Sequence, residues 1–517
     1  MHLTRTPGRA KRYARTLCTA LITVVASSLV QPISAEPRPK IGLVLAGGGA
    51  KGGAHIGVLK VLEEYQVPID CIAGTSIGAL VGAGYASGIP ADELQEFVVG
   101  IDWKSVVGGV GKRDLESIEQ KRAGVTYSNS LELGIKNGSV TFPGGLVNTA
   151  DIEDLLRSYV ARSRMQANFD HLPIPYRAVA TDMVTGDMVV MDRGDLATAM
   201  RASMAIPGAF APVHTGDYIL SDGGLVRNIP IDVARELCAD IVIVVNLVEP
   251  AVDPAKLQSA TQLLGRSMDV MIEANEVLQL LTVTEQDVLI NVPMGSIGTA
   301  DFERIPEAIP LGETAARKVS EELQALAVPS SSYLAWRQGI NADQAVEAEL
   351  AEVRFEGLER VNPAVLEARS EVRPGDTVDT AKITEEAQRI SALQDFESVE
   401  YGLEGDPERP DLIWLPQEKR WGPNYLNFDL GLYASEGGDL YFNVYLRHKR
   451  TWLNDLGAQW RNELQLGYES LLKTSFYHPH NLSQKYFVEP QVGFSRTLED
   501  VFFDGERLAT YRFIDYG

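Results

Sequence analysis

The chain has 517 residues, 45% of them hydrophobic and 23% charged, with a formal net charge of −23. That length exceeds what one core ordinarily serves and predicts roughly two to four domains, and the composition is that of a folded protein, not a disordered one. The acidic balance excludes a general nucleic-acid partner and gives no overall attraction to anionic lipid.

Arg5, Arg9, Lys11, Arg12 and Arg15 open the chain without an acid among them, and an apolar stretch from Leu17 to Val30 and then I-S-A ending at Ala35 follow. A basic start, a short apolar core and a small-residue end predict a leader for export over residues 1–35, cleaved after Ala35; the apolar stretch is short for a membrane-spanning helix. Cys18 leaves with the leader. Cys71 and Cys238 remain, both in apolar surroundings, and are expected as buried free thiols; an oxidising compartment permits a disulfide, but spacing does not place one. No cysteine or histidine cluster has metal-ligand spacing, so neither a metal nor another cofactor is expected.

Between Pro39 and about Ala325, apolar runs alternate with helical segments. I-G-L-V-L-A (41–46), C-I-A-G (71–74), Y-R-A-V-A-T (176–181), I-V-I-V-V-N (241–246) and V-L-I-N-V (288–292) read as buried strands. Continuous apolar runs suit a mostly parallel sheet covered on both faces, predicting an α/β domain over residues 36–328.

Two of its strand-to-helix turns carry chemistry. In L-A-G-G-G-A-K-G-G-A-H (45–55), Gly47, Gly48, Gly49, Gly52 and Gly53 allow backbone N–H groups to converge as an anion nest. The spacing Gly47, Gly49, Gly52 fits a dinucleotide pyrophosphate, and the same amides fit the oxyanion of an acyl-transfer intermediate. A Walker loop is excluded, because Lys51 precedes Gly52 instead of following a glycine. In D-C-I-A-G-T-S-I-G (70–78), Ser76 stands between Gly74 and Gly78 as G-x-S-x-G, the frame of a nucleophile exposed on a tight elbow. The second turn, just downstream of the first, favours the oxyanion use.

Ser76 needs a base. His448, His478 and His480 fall in the C-terminal region, His171 sits in polar H-L-P-I-P, His214 reads as a turn residue, and His55 as packing or solvated. A carboxylate fits better: Y-I-L-S-D-G-G-L-V-R-N-I-P (218–230) ends an apolar segment in Asp222, and Gly223 and Gly224 permit a tight turn toward a neighbouring loop. Burial would have to raise this aspartate above the usual value of about 3.9 for it to take the hydroxyl proton.

Pro329-Ser330-Ser331-Ser332 reads as a linker. Residues 349–419 then run strand, helix, helix, strand, strand, a small α+β module. In residues 422–517, Y-L-N-F-D-L-G-L-Y places Leu426, Phe428, Leu430 and Leu432 on one face and Asn427, Asp429 and Gly431 on the other, and about six such segments follow one another. Alternation of this length predicts part of an outer-membrane barrel, short of the usual minimum of about eight strands; a soluble antiparallel sheet is the alternative.

G-G-G-A-K-G (47–52), G-T-S-I-G (74–78) and D-G-G (222–224), in this order and with R-A-S-M-A-I-P-G-A-F-A-P (201–212) ahead of the aspartate, resemble the patatin-like phospholipase family. The resemblance covers roughly residues 41–325. It implies an α/β fold of three layers, hydrolysis of phospholipid or other acyl-lipid esters without a metal, Ser76 as nucleophile, Asp222 as general base, and Gly48, Gly49 and nearby amides as oxyanion donors. The remainder resembles one polypeptide-transport-associated (POTRA) module and the start of a surface-antigen-type barrel, with E-K-R-W-G-P-N (418–424) at their junction. Together the order resembles bacterial patatin-like autotransporters. The expectation is an exported lipid acyl hydrolase tethered to the outer membrane, with a second copy of the chain admitted as a partner; the rival is a non-enzymatic assembly or transport factor.

Overall fold

Strands that are apolar at every position must be covered on both faces, and the first sheet shows how. In the computed structural model, which describes residues 38–103, 131–136, 138–145, 150–160, 168–250, 252–341, 348–406, 408–434, 440–503 and 506–517, the expected leader lies outside the described residues. Strands β1 (Ile41–Leu45) and β2 (Cys71–Thr75) come first; β3 (Leu131–Lys136) and β4 (Ser139–Thr141) follow in the chain but join another sheet. Then come β5 (Tyr176–Asp182), β6 (Met188–Met191), β7 (Val213–Thr215), β8 (Tyr218–Asp222), β9 (Ile241–Val248) and β10 (Val288–Pro293). Their order is β10-β9-β1-β2-β5-β8-β7, with β6 also on β5.

The two-residue period sends Leu43, Leu45, Ile72, Ile243 and Val245 into the larger core and Val44, Cys71, Ala73, Val242 and Val244 into a second one behind the sheet. Helices α1 (Gly53–Glu64) and α2 (Ile77–Ala86) supply the first core, and α5 (Ile231–Leu237) caps the second. Here α3 (Ala150–Tyr159) and α4 (Leu196–Ser203) are two of the helices between them, and α6 (Ala260–Leu280) and α7 (Ile305–Lys318) lie beyond α5. Each fully buried aliphatic side chain stabilises such a core by about 1.5–3 kcal/mol.

The five strands from β10 to β5 are parallel, as the continuous apolar runs predict, whereas β6, β7 and β8 are antiparallel. The register across β5 matters most. Thr75 pairs with Val179, and Ala180 pairs with Asp222, so the residue after Thr75 and the aspartate stand at one level, two strands apart.

Two expectations are corrected. Cys71 and Cys238 are not free thiols: they form a disulfide across 167 residues, because α5 crosses the sheet face at the point where β2 begins. Pro329 and the three serines do not form a linker. Helix α8 (Ser330–Asn341) starts there, with the Pro329 carbonyl accepting from the Ser332 and Tyr333 amides, and it packs Ile340 into the main core and sets Arg337 3.4 Å from Glu63.

Beyond α8, β11 (Val353–Phe355), α9 (Pro363–Arg369), α10 (Thr380–Ser391), β12 (Phe396–Asp406) and β13 (Arg409–Glu418) form a three-stranded unit in the order β11-β13-β12 around buried Trp414. It meets α3 through Arg157, which lies 5.5 Å over the Tyr401 ring and 2.9 Å from Asp195.

The remaining strands, β14 (Asn424–Ala434), β15 (Leu440–Arg450), β16 (Gln459–Gly467), β17 (Ser470–Pro479), β18 (Phe487–Val488), β19 (Gln491–Phe503) and β20 (Glu506–Tyr516), are antiparallel. Their order, β20-β19-β17-β16-β15-β14-β3-β4, has two ends, so among the described residues the sheet is open and closes no barrel. Its edge is completed by β3 and β4 from within the α/β region, with Leu426 opposite Leu133 and Asn427 opposite Glu132.

Replacing both cysteines by serine should lower stability to unfolding by about 3–5 kcal/mol, since the bridge closes a long loop in the unfolded chain. Urea denaturation of the double variant, and of the wild type with reductant, checks this; a midpoint unchanged in both would contradict the bridge.

Candidate active site

A helix that begins immediately after a strand must reverse the chain at one residue, and here that residue is Ser76. Its φ of 53° and ψ of −125° lie where side chains are strained. The turn is possible because its neighbours lack side chains: a Cβ on Gly78 would lie 2.3 Å from the Leu45 carbonyl oxygen, and one on Gly74 would lie 2.5 Å from that of Gly78. The Ser76 amide donates to Ser203 Oγ at 2.9 Å, and that hydroxyl donates to the Val179 carbonyl at 2.6 Å, tying the elbow to β5. Thr75 Oγ1 donates to the Arg227 carbonyl at 2.8 Å.

Asp222 ends β8 at the same level. Its amide donates to the Ala205 carbonyl at 2.9 Å, and its own carbonyl accepts from Thr181 Oγ1 at 2.8 Å, which fixes the backbone. Both carboxylate oxygens are engaged: Oδ1 accepts from the Gly224 amide at 2.8 Å, and Oδ2 accepts from Ser76 Oγ at 2.7 Å. Gly223 fits because a Cβ there would strike the Val179 carbonyl oxygen at 2.2 Å. Burial pushes the Asp222 carboxyl up to about 6, against the opposing pull of the bonds from Ser76 and Gly224.

The glycine loop closes over the serine. A Cβ on Gly47 would come within 3.2 Å of Ser76 Cβ. Gly49 has a φ of 57°, and a side chain there would meet the Thr299 carbonyl oxygen at 2.2 Å. The Gly47, Ala50 and Lys51 amides donate to the carbonyls of Asn228, Thr299 and Gly48, whereas no hydrogen bond within the described residues engages those of Gly48 and Gly49. The Ile77 amide, at the start of α2, is similarly available. Gly52 packs against Ile77. Lys51 is buried, its ammonium paired with Glu249, and burial lowers it to about 8 despite the nearby Asp269 and Glu276 carboxylates.

The histidines are accounted for elsewhere. His55 is fully buried and donates from Nε2 to the Ala46 carbonyl at 2.8 Å; burial lowers it to about 4, so it stays neutral and anchors the loop. His171 is exposed, His214 in β7 meets Arg420, and His448 and His478 contact Asn462 and Asn454.

Thus Gly47, Gly48, Gly49, Lys51, Gly52, Gly74, Ser76, Gly78, Asp222, Gly223 and Gly224 come together, with Ser76, Asp222 and the first glycines opening on a cavity of about 300 Å³. Ile206, Pro207, Leu225, Leu247 and Ile272 give it an apolar wall. A pocket with an apolar wall, a hydroxyl bonded to a raised carboxylate and unpaired amides beside it have the parts needed for acyl transfer. Sequence reasoning missed Ser203, Thr181 and Asn228, whose Nδ2 donates to Glu276 at 2.5 Å and to the Gly47 carbonyl at 3.5 Å. Ser203 and Asn228 lie within or beside the quoted motifs, but a short polar side chain carries no local mark of the distant group it will bond.

Comparison with known proteins places the same region. Residues 43–235 match the family described as patatin-like phospholipase. An uncharacterized NTE family protein of Mycobacterium tuberculosis is 30% identical over 305 residues, 54% of this chain and 46% of the relative. Patatin-like phospholipase domain-containing protein 6 of Mus musculus is 32% identical over 209 residues, 40% of this chain and 13% of the relative. The chain thus spans about half the length of the mycobacterial relative, or less of longer ones. Among solved structures, VipD from Legionella pneumophila aligns with 56% of this chain and 67% of its own at a TM-score of 0.33 and 17% identity. The segment that assembles the elbow, the amide cradle and the aspartate is therefore the part of the chain, residues 43–235, that matches the patatin-like phospholipase family.

Proposed function

We propose that the chain is a lipid acyl hydrolase in which Ser76 is the nucleophile and Asp222 its general base. The observation that carries this reading is the 2.7 Å bond from Ser76 Oγ to Asp222 Oδ2 inside the cavity. Ser76 Oγ attacks the ester carbonyl carbon while its proton passes to Asp222; the oxyanion meets the Gly48, Gly49 and Ile77 amides. The ester C–O bond then breaks, the leaving alcohol takes the proton from Asp222, and an acyl-enzyme remains. Water attacks it with Asp222 again as base, releasing the fatty acid and returning the proton to Ser76. An aspartate held at about 6 is ionised at neutral pH yet much more basic than an exposed one.

The reading extends to location. The C-terminal sheet has one apolar and one polar face: Phe428, Leu430 and Leu432 are 51%, 52% and 65% exposed and stand opposite Leu446, Val444 and Phe442. The intervening positions carry Asp429, Tyr445 and Gln465 in one row and Arg447, Glu463 and Lys473 in another. A sheet of this kind is suited to lipid on one side and water on the other, and the Cys71–Cys238 bridge suits an oxidising compartment. Both support export and an outer-membrane tether, with the three-stranded unit as a POTRA-like module.

Ser76→Ala and Asp222→Asn should each reduce ester hydrolysis by at least about a thousandfold and abolish fluorophosphonate labelling at Ser76; full turnover in either variant would remove the dyad. Activity should be lost as pH falls through about 6, because Asp222 must be ionised to accept the proton. The same raised carboxyl makes its ionisation oppose folding, so Asp222→Asn should unfold later than wild type at pH 7, by about 1–3 kcal/mol, with the difference vanishing below about pH 4; thermal melts across pH check the sign. Fractionated membranes should retain the protein until detergent is added, and recovery in the soluble fraction would refute the tether.

A further inference from the structure

The apolar wall of the cavity is matched by a charged one. Lys51, Glu249, Asp269, Glu273 and Glu276 line it together with Ile206, Pro207 and Leu225. Two of these carboxylates are paired: Glu249 with Lys51, and Glu273 with Arg266, which lies outside the lining, at 2.5 and 3.0 Å. Among the described residues Lys51 is thus the one cation that lines the cavity against these four carboxylates and Asp222, and Asp269 and Glu276 are the two of the four that neither pair takes up. Glu276 reaches close to the reacting centre, since its Oε1 accepts from the same Asn228 amide that contacts the Gly47 carbonyl. Asp269 and Glu276 both act on Lys51, so the three charges share one small space. Burial raises both carboxyls, while Lys51 and, for Asp269, Arg266 pull them down.

We propose that this wall makes the enzyme select phospholipids whose head group carries an ammonium over those with a net anionic head group, with Asp269 and Glu276 as the specificity-determining residues. The proposal rests on the acyl-hydrolase reading above. A zwitterionic head group presents a phosphate and an ammonium a few bonds apart, as the wall presents one lysine beside surplus carboxylates. An anionic head group brings a phosphate but no cation for Asp269 and Glu276, and each close like-charge approach in this partly buried space is unfavourable. The chain's formal charge of −23 acts in the same direction at longer range.

The test uses the full chain in mixed micelles of an uncharged detergent, with phosphatidylethanolamine, phosphatidylcholine or phosphatidylglycerol of identical acyl chains and p-nitrophenyl butyrate as a neutral ester. Fatty-acid release should give a kcat/KM at least about tenfold higher for the two ammonium lipids than for phosphatidylglycerol. That ratio should fall toward one in Asp269→Asn with Glu276→Gln, whose amide oxygen still accepts from Asn228. Added salt should also narrow the wild-type ratio, which keeps the test independent of how the variant folds. Equal rates on all three lipids, a ratio unmoved by both the variant and salt, or hydrolysis of the neutral ester with no phospholipid turnover would overturn the proposal. An inert neutral ester together with inert phospholipids would instead overturn the hydrolase reading on which it rests.

Discussion

A buried carboxylate that, among the described residues, has no cation of its own is the constraint around which the α/β region is organised. The influences on Asp222 are burial and two hydrogen bonds, one from the Gly224 amide and one from Ser76. Had an arginine or lysine stood beside it, the carboxyl would be more stable and a poorer proton acceptor. The buried lysine of the neighbouring loop, Lys51, is turned instead to Glu249. Low polarity around Asp222 and a hydroxyl as its partner are two sides of one arrangement: the fold leaves the charge costly, and chemistry can use what stability gives up.

That arrangement depends on backbone more than on side chains. β5 is the spacer that sets Ser76 and Asp222 level, and its own groups hold both ends, with the Val179 carbonyl accepting from Ser203 and the Thr181 hydroxyl donating to the Asp222 carbonyl. The glycines work where backbone meets backbone, at Gly78 against Leu45 and Gly223 against Val179. The strained serine is tolerated because strand, helix and loop all converge on it.

Much of this was legible in the sequence because it is local. The five apolar strand runs, the two glycine-rich turns, Ser76 and Asp222 each lie in a stretch whose periodicity or turn chemistry speaks for itself. What could not be read depends on distant partners. The bond between Cys71 and Cys238 spans 167 residues, and nothing near either cysteine distinguishes a bridge from two apolar thiols. The serines after Pro329 have the composition of a linker, and only Tyr333 and Ile340, packed on the core, make them the first turn of a helix. The antiparallel edge formed by β6, β7 and β8 follows from short hairpins that the pattern of buried parallel strands conceals. Alternation along β14 and β15 was visible, but the number of ends the sheet has is a property of all its strands at once.

The least legible element has the widest reach. β3 and β4 arise between α2 and α3, yet they extend the C-terminal sheet through β14, and Glu132 on β3 accepts from Lys419 at 2.5 Å and from Trp421 Nε1 at 3.2 Å. The first and last thirds of the polypeptide are therefore interlaced. A protease cutting between α8 and β11 would sever the covalent thread without liberating the α/β region, which would stay fastened through that shared edge and through Arg157 on Tyr401. Separating the α/β region from the C-terminal sheet would require peeling one strand from its neighbour as well as breaking a peptide bond.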